Sequence, residues 1–568
     1  MFYSLNKFLN IFAGNKKKYY YFFIFSNLLI ALLEMVGIGI IFPILKIIID
    51  PLFISNIREY NIRIINNLTS NEILIFMLIV MSIIFLIKNF LIGILSWAQI
   101  KFSLFLQNKV STSLLHKYIN NSYLFHKQND SSKLIRAVNY DSMIVITGFI
   151  IPSFFFATEL FLIIGIIWLL AIYQVYGLLI VFFFFVISIL IYKKFNFTLK
   201  NYGKKKQLNE TLKLKYLITV FEGIKEILFY RKQNFFFNLY EAANLKSNAS
   251  TSFLETVKIL PRLLLETFGV IILAMVMFFL ILSGANLSEF LPLFAIYVVG
   301  GFKILPSLNR IISSIQQMRF NKIYLETLVD QYDNKKSYEH FSDITKVQYI
   351  NFNDKIQLKN ISFKYKMKGR EKKIIDDLNI SFKKNTITAI IGKSGSGKST
   401  IVDIMLGLLQ QDSGEIIVDG KPINQNNLKL KIGYVPQNNF LLNDTIKKNI
   451  ALGVPEGEID QNKVDRALEF SNLINDFKSS KLSTETIVGE RGLQISGGQA
   501  QRISIARSLY EDPEIIIFDE ATSSLDQLTE NEILQNLLKL KHLKTIILIT
   551  HNKGILKLCD KVISINEI

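Results

Sequence analysis

The clearest chemistry in the chain lies in one continuous run, Gly392-Lys393-Ser394-Gly395-Ser396-Gly397-Lys398-Ser399-Thr400. It follows an apolar stretch, Ile387–Ile391, that reads as a β-strand, and it opens a segment, Ser399–Leu409, that reads as a helix. Glycines at this spacing let backbone N–H groups close around phosphate oxygens, and the helix start adds its dipole. Lys398 is then placed to reach β and γ phosphates, and Ser399 to ligate Mg²⁺. A second apolar run, Glu514–Phe518, ends in Asp519-Glu520. Asp519 is expected to hold the Mg²⁺ shell, and Glu520 to polarise an attacking water as general base. A strand ending in Asp-Glu is a weak signal alone. Downstream of a phosphate loop, it points to hydrolysis of a nucleoside triphosphate.

These residues need a soluble α/β scaffold, and only part of the chain can supply it. A length of 568 residues suggests two or three domains, and the apolar half of the composition, with its 46 Phe and 23 Tyr, is unevenly spread. Residues 340–568 read as an α/β protein, whereas residues 1–320 hold long apolar runs. About 20 apolar residues span a bilayer core of roughly 30 Å. Six runs qualify: Tyr20–Ile48, Ile73–Ala98, Met143–Tyr173, Gly177–Tyr192, Ile259–Ser283 and Phe290–Ile312. The predicted fold class is therefore an all-α polytopic membrane domain over 1–330, a linker over 331–350, and an α/β P-loop domain over 351–568.

Loop charge sets the expected orientation. Lys7 and Lys16–Lys18 precede the first run, and Lys101, Lys109, Lys117, Lys127, Lys133 and Arg136 follow the second. Lys193, Lys194, Lys204–Lys206, Arg231 and Lys232 lie between the fourth and fifth. The connections after runs three and five carry no Lys or Arg, and the one after run one only Arg58 and Arg63. Positive charge thus gathers on one side, which places both termini in the cytoplasm. It also accounts for the net charge of +19 without a nucleic-acid partner. The two basic connections are long and keep helical periodicity, as in Leu212, Tyr216, Val220, Ile224 and Leu228. The spans are expected to continue into the cytoplasm and turn back in short coupling helices near 118–127 and 223–234. The start of the chain lacks the pattern of a cleavable signal peptide. The lone Cys559 excludes an intrachain disulfide and reads as a packing residue.

Ile495-Ser496-Gly497-Gly498-Gln499 lies between the phosphate loop and Asp519. It resembles the signature motif of ATP-binding-cassette proteins, with Ile in place of the usual Leu. Tyr365 is similar to that family's adenine-stacking aromatic, and Gln437 in Tyr434-Val-Pro-Gln to its Q-loop glutamine, a further Mg²⁺ contact. Ser524-Leu525-Asp526 resembles the D-loop and His551 the switch histidine. Thr486–Gly492 resembles a loop found in exporters rather than importers. The resemblance covers about 200 residues in family order and implies an ABC exporter fold, ATP and Mg²⁺ as cofactors, and an ATPase coupled to transport. It also implies a dimer, because Ser496, Gly497, Gly498 and Gln499 of one cassette close over ATP bound to the other. A homodimer is the economical reading, and a related second chain is the other.

Cargo must be read from ionisable residues inside the runs, which are costly there. Lys303 and Arg310 share one face of the sixth run, and Lys88 and Arg262 join them as candidate cavity residues. Arg262 and Glu266 stand one helical turn apart and can neutralise each other; Lys303, Arg310 and Lys88 can instead snorkel to an interface. Pro261–Glu266 and Leu305–Ile312 resemble segments of the bacterial lipid-linked oligosaccharide flippases of N-glycosylation. Lys88 and Lys303 stand where that family tends to carry arginine, which keeps the charge and loses the guanidinium fork. Phe53, Ile57, Tyr60, Ile64 and Leu68 make an apolar stripe like that family's external helix. The expectation is ATP-driven flipping of a polyprenyl-pyrophosphate-linked glycan across the bacterial inner membrane. An exporter of other lipids, peptides or drugs is the alternative, and a non-transporting regulatory cassette the third reading.

Overall fold

The computed structural model describes residues 2–49, 69–173, 177–282, 287–333, 348–367, 370–423, 428–479, 482–521 and 527–565. The apolar stripe between Phe53 and Leu68, most of the 331–350 linker and Asp526 lie outside them. The backbone divides into two units: 1–119 with 129–336, and 120–128 with 337–568.

The first unit is helical. It comprises α1 (Phe2–Phe12), α2 (Lys17–Ile49), α3 (Ser70–Ile119), α5 (Ile151–Tyr173), α6 (Gly177–Glu222), α7 (Ile224–Phe229), α8 (Gln233–Leu282) and α9 (Leu287–Asp333). The intervening α4 (Tyr123–Gln128) falls in the second unit. At 1.5 Å per residue the 50 residues of α3 or α8 run about 75 Å, far beyond the hydrocarbon layer. Apolar side chains on α3 and α6 point outward, among them Leu86, Phe90, Trp97, Phe182 and Leu190. Water does not tolerate such faces and lipid does. Among the described residues, Gly14–Val36, Asn71–Ile119 and Ser131–Trp168 are long and apolar enough to span by composition alone.

Two details depart from the simple periodicity. The periodicity through Leu212–Leu228 runs across α6 and α7, and the chain breaks between them at Gly223, inside the 223–234 stretch expected to turn. Glycine loses the most conformational freedom in a helix and marks the turn. Ahead of α5, the stretch Ser131–Ile150 contains two π-helical turns, Ala137–Asp141 and Ile146–Ile150. The wider turn lets Arg136 and Asp141, five residues apart, meet. Arg136 Nη2 lies 3.0 Å from an Asp141 oxygen, and its Nη1 donates to Gln207 O at 2.9 Å and to Thr211 Oγ1. Both charged side chains are buried.

The second unit holds β1 (Gln348–Ile350), β2 (Lys355–Met367), β3 (Arg370–Lys383), β4 (Ile387–Ile391), β5 (Ser413–Val418), β6 (Lys421–Pro422), β7 (Leu428–Leu430), β8 (Ile432–Val435), β9 (Ile515–Asp519), β10 (Thr545–Ile549) and β11 (Lys561–Ser564). A parallel sheet has the order β11-β4-β10-β9-β8, and an antiparallel one the order β3-β2-β5-β6. The central strands are Ile-rich and buried on both faces, as parallel strands must be. Among its described residues, the helices of eight or more residues are α10 (Lys398–Met405), α11 (Gln461–Phe470), α12 (Gly497–Tyr510) and α13 (Gln527–Leu540). Helix α10 stops before the Leu409 expected from periodicity, because Gly407 takes φ +69° beyond its end.

The orientation carries an expected result. With Cys559→Ala as background, single cysteines at Tyr123 and Asn129 are expected to react only with reagents that cross the membrane, and cysteines within 55–71 with external ones. Labelling of Asn129 from outside intact cells contradicts the orientation. The background matters little for reactivity: burial, then the neighbouring Asp560, pushes the Cys559 thiol up to about 11. Its side chain packs against the hydrophobic core of the parallel sheet.

Candidate active site

Parallel strands in register deliver their following loops to one edge, where α/β proteins bind ligands. Strand β4 pairs with β10, β10 with β9, and β9 with β8. The loops after β4, β9, β10 and β8 therefore gather the phosphate loop, Asp519-Glu520, His551 and Gln437 at the same edge.

The phosphate loop is closed by its glycines. Gly395 and Gly397 take φ +86° and +92°, a region that side-chain-bearing residues avoid. At Gly392, a Cβ would lie 2.6 Å from Ile565 O. Lys398 is folded into the loop and donates to Gly392 O at 2.6 Å and Lys393 O at 3.0 Å. Buried in the same loop, Ser396 Oγ has no hydrogen-bond partner among the described residues. Lys393, Ser394 and Ser399 are exposed, and Thr400 is buried under the loop. A cradle with a stored ammonium, an orphaned hydroxyl and exposed donors fits a polyphosphate with its Mg²⁺.

Beside it, Glu520 occupies left-handed backbone, φ +51°, and its N–H donates to Ile549 O at 3.0 Å. Such strain persists only where neighbours enforce it, and it gathers at functional sites. Gln437 Nε2 donates to Glu520 Oε2 at 2.6 Å, and His551 Nε2 lies 3.6 Å from Oε1. Tyr434 donates its hydroxyl proton to Asp519 Oδ2 at 3.3 Å. Burial holds the Asp519 carboxyl above its usual range, and the Glu520 charge adds to this against the Tyr434 hydrogen bond.

Other residues singled out in the sequence lie elsewhere. Ser496 caps α12, accepting from Gln499 N at 3.2 Å while Gln499 Oε1 accepts from Ser496 N at 2.9 Å. Gly497 and Gly498 form the first turn of that helix. Tyr365 stands on β2, edge-on to Phe363. Asp526 is outside the described residues. In the helical unit the expected cations carry partners: Lys88 with Glu34 at 3.4 Å, Arg262 with Glu266 at 2.7 Å, and Arg310 with Glu159 at 2.8 Å. The Lys303 side chain is outside the description.

One contact has no signal in the sequence. Helix α4 belongs to the cassette unit, with Leu124 against its core. Lys127 Nζ bonds Asp403 Oδ2 on α10 at 2.9 Å and Tyr365 Oη at 3.2 Å. Burial opposes the Lys127 charge, but the bonds to Asp403 and Tyr365 outweigh it and raise its pKa. No local pattern pairs two residues 276 positions apart.

A P-loop cassette joined to a bundle of membrane-length helices defines the class. Two family models match: "ABC transporter" over 375–523 and "ABC transporter transmembrane region" over 27–292. The chain thus carries both the transmembrane region and the cassette of the ABC transporters. It is 37% identical over 240 residues to ABC transporter B family member 6 of Dictyostelium discoideum, covering 39% of this chain and 35% of that protein. It is 39% identical over 211 residues to the toxin RTX-III translocation ATP-binding protein of Actinobacillus pleuropneumoniae, covering 37% of this chain and 29% of that one. The chain thus spans about a third of the length of these curated relatives. A bacterial Atm1-family ABC exporter with ATP bound shares the fold, with a TM-score of 0.78 over 96% of this chain and 94% of that one at 19% identity. By family, the cassette is an ATPase that takes ATP with Mg²⁺.

Proposed function

We propose that this chain is one half of an ATP-driven exporter that works as a homodimer in a bacterial inner membrane. The meeting of Glu520, Gln437 and His551 beside the phosphate loop carries the reading. Lys398, released from the loop carbonyls, would grip the β and γ phosphates together with the loop N–H groups. Ser399 and Asp519, with Gln437, would hold Mg²⁺, which neutralises phosphate charge when bound. Glu520 takes the proton of the attacking water, and His551 hydrogen-bonds at the γ-phosphate side. Tyr365 stacks on adenine, while Ser496, Gly497, Gly498, Gln499 and Asp526 serve the opposite cassette.

Two surfaces support coupling and assembly. Lys127 joins α4 to the residue proposed to hold adenine and to the helix behind the phosphate loop. At the other turn, Phe221, Ile224, Leu228, Phe229 and Tyr230 are exposed. A cluster of that kind marks an interaction site, and a second copy is the proposed cover.

For the cargo, the proposed reading is an anionic lipid-linked oligosaccharide, whose headgroup needs cations along its path. Arg310 supports it, being half exposed although paired. The pairing of Lys88, Arg262 and Arg310 favours a second reading, export of another lipid, a peptide or a drug-like cargo, and one similar protein is named for toxin translocation. In proteoliposomes with a pyrophosphate-linked glycan lipid, Lys303→Ala/Arg310→Ala is expected to impair flipping several-fold more than ATP hydrolysis. Unchanged flipping selects the second reading.

A further inference from the structure

Tyr434 has a place that the catalytic reading leaves unused. Strand β8 runs parallel to β9 with Tyr434 beside Ile517. Side chains two apart on a strand share a face, so Tyr434, Ile517 and Asp519 line the same side of the sheet. The tyrosine ring is long enough to lean along the strand to the second residue beyond its neighbour. There its hydroxyl meets Asp519 Oδ2 at 3.3 Å. Tyr434 also packs against the cassette core and lines a cleft of about 470 Å³, together with Met405, Leu406, Arg507 and Pro513. Three residues further on, Gln437 donates to Glu520. One strand end therefore supplies a donor to each of two adjacent acids.

We propose that Tyr434 is a positioning residue for the Mg²⁺ carboxylate: its hydroxyl holds one oxygen of Asp519, as Gln437 holds Glu520. The proposal rests on the reading of Asp519 as a Mg²⁺ ligand. An ionised carboxylate has about four acceptor sites, so one bond from Tyr434 fixes its orientation and leaves capacity for a cation. Ligands held this way bind metal more tightly, and losing such a support typically costs about 10–100-fold in metal affinity. A hydrogen bond of 3.3 Å is long, so the lower end of that range is expected.

The test measures nucleotide affinity of the full chain in lipid nanodiscs, with a fluorescent ATP analogue, in Mg²⁺ and in EDTA. A Glu520→Gln background slows turnover. Tyr434→Phe keeps the ring, the core contact and the cleft wall. It is expected to leave the EDTA affinity unchanged and to reduce the gain from Mg²⁺ by about tenfold. Asp519→Asn should lose most of that gain. A Phe variant with the full Mg²⁺ gain overturns the role of Tyr434, provided Asp519→Asn loses it. An equal loss in both conditions overturns it too, since that is general damage. Asp519→Asn retaining the gain removes the Asp519 reading and this proposal together.

Discussion

Glu520→Gln lowers ATP hydrolysis by about 10²–10⁴-fold while nucleotide binding persists. The range is that of a positioned general base. The amide matches the carboxylate in size, and its oxygen can still accept from Gln437, so the loop need not move. It cannot take a proton. The variant should therefore hold ATP and keep cassettes closed, seen as slow release of labelled nucleotide. Lys398→Ala provides the contrast: it removes the ammonium now stored on the Gly392 and Lys393 carbonyls, and should weaken binding itself. Near-normal turnover by the Gln variant would exclude Glu520 as the base.

The largest expected loss of stability lies at Arg136. Its guanidinium bonds one oxygen of Asp141, the Gln207 carbonyl and Thr211, and both members of the ion pair are buried. Arg136→Met leaves the Asp141 carboxylate uncompensated in a closed site, at about 3–5 kcal/mol. The double change Arg136→Met/Asp141→Leu should recover most of it, because apolar replacement of a whole buried pair is often neutral. The Gln207 carbonyl would still be served by Thr211 at 3.0 Å. Apparent melting temperatures of the two variants in detergent decide this. A double variant as unstable as the single one would show that the polar groups around the pair, not the charge, set the cost.

The fold, and the gathering of the phosphate loop with the β9 acids, were legible because their signals are local. The phosphate loop needs its glycines within a few residues, and the β9 acids follow an unbroken apolar run. Helix length was equally plain in α2 and α3. Features made by packing were not. Tyr434 reaches Asp519 only through the order of β8 and β9, which no single segment encodes. Lys127 looks like one more cytoplasmic cation until α4 lies on Asp403. The π-turns that bring Arg136 to Asp141 break the 3.6-residue period on which helix reading depends. The cations expected to line a cavity were named as residues, while the partners of Lys88 and Arg310, Glu34 and Glu159, came from other helices.

The grouping of residues 120–128 with the cassette bears on how such proteins can be recombined. A graft cut at the linker would carry β2 and α10 but leave Lys127 and Leu124 behind, stranding the Asp403 carboxylate and uncovering part of the core. Exchange of ATP-binding halves between relatives is then expected to need this nine-residue segment to travel with its acceptor surface. The heritable module is discontinuous, and drift in one piece must be answered in the other.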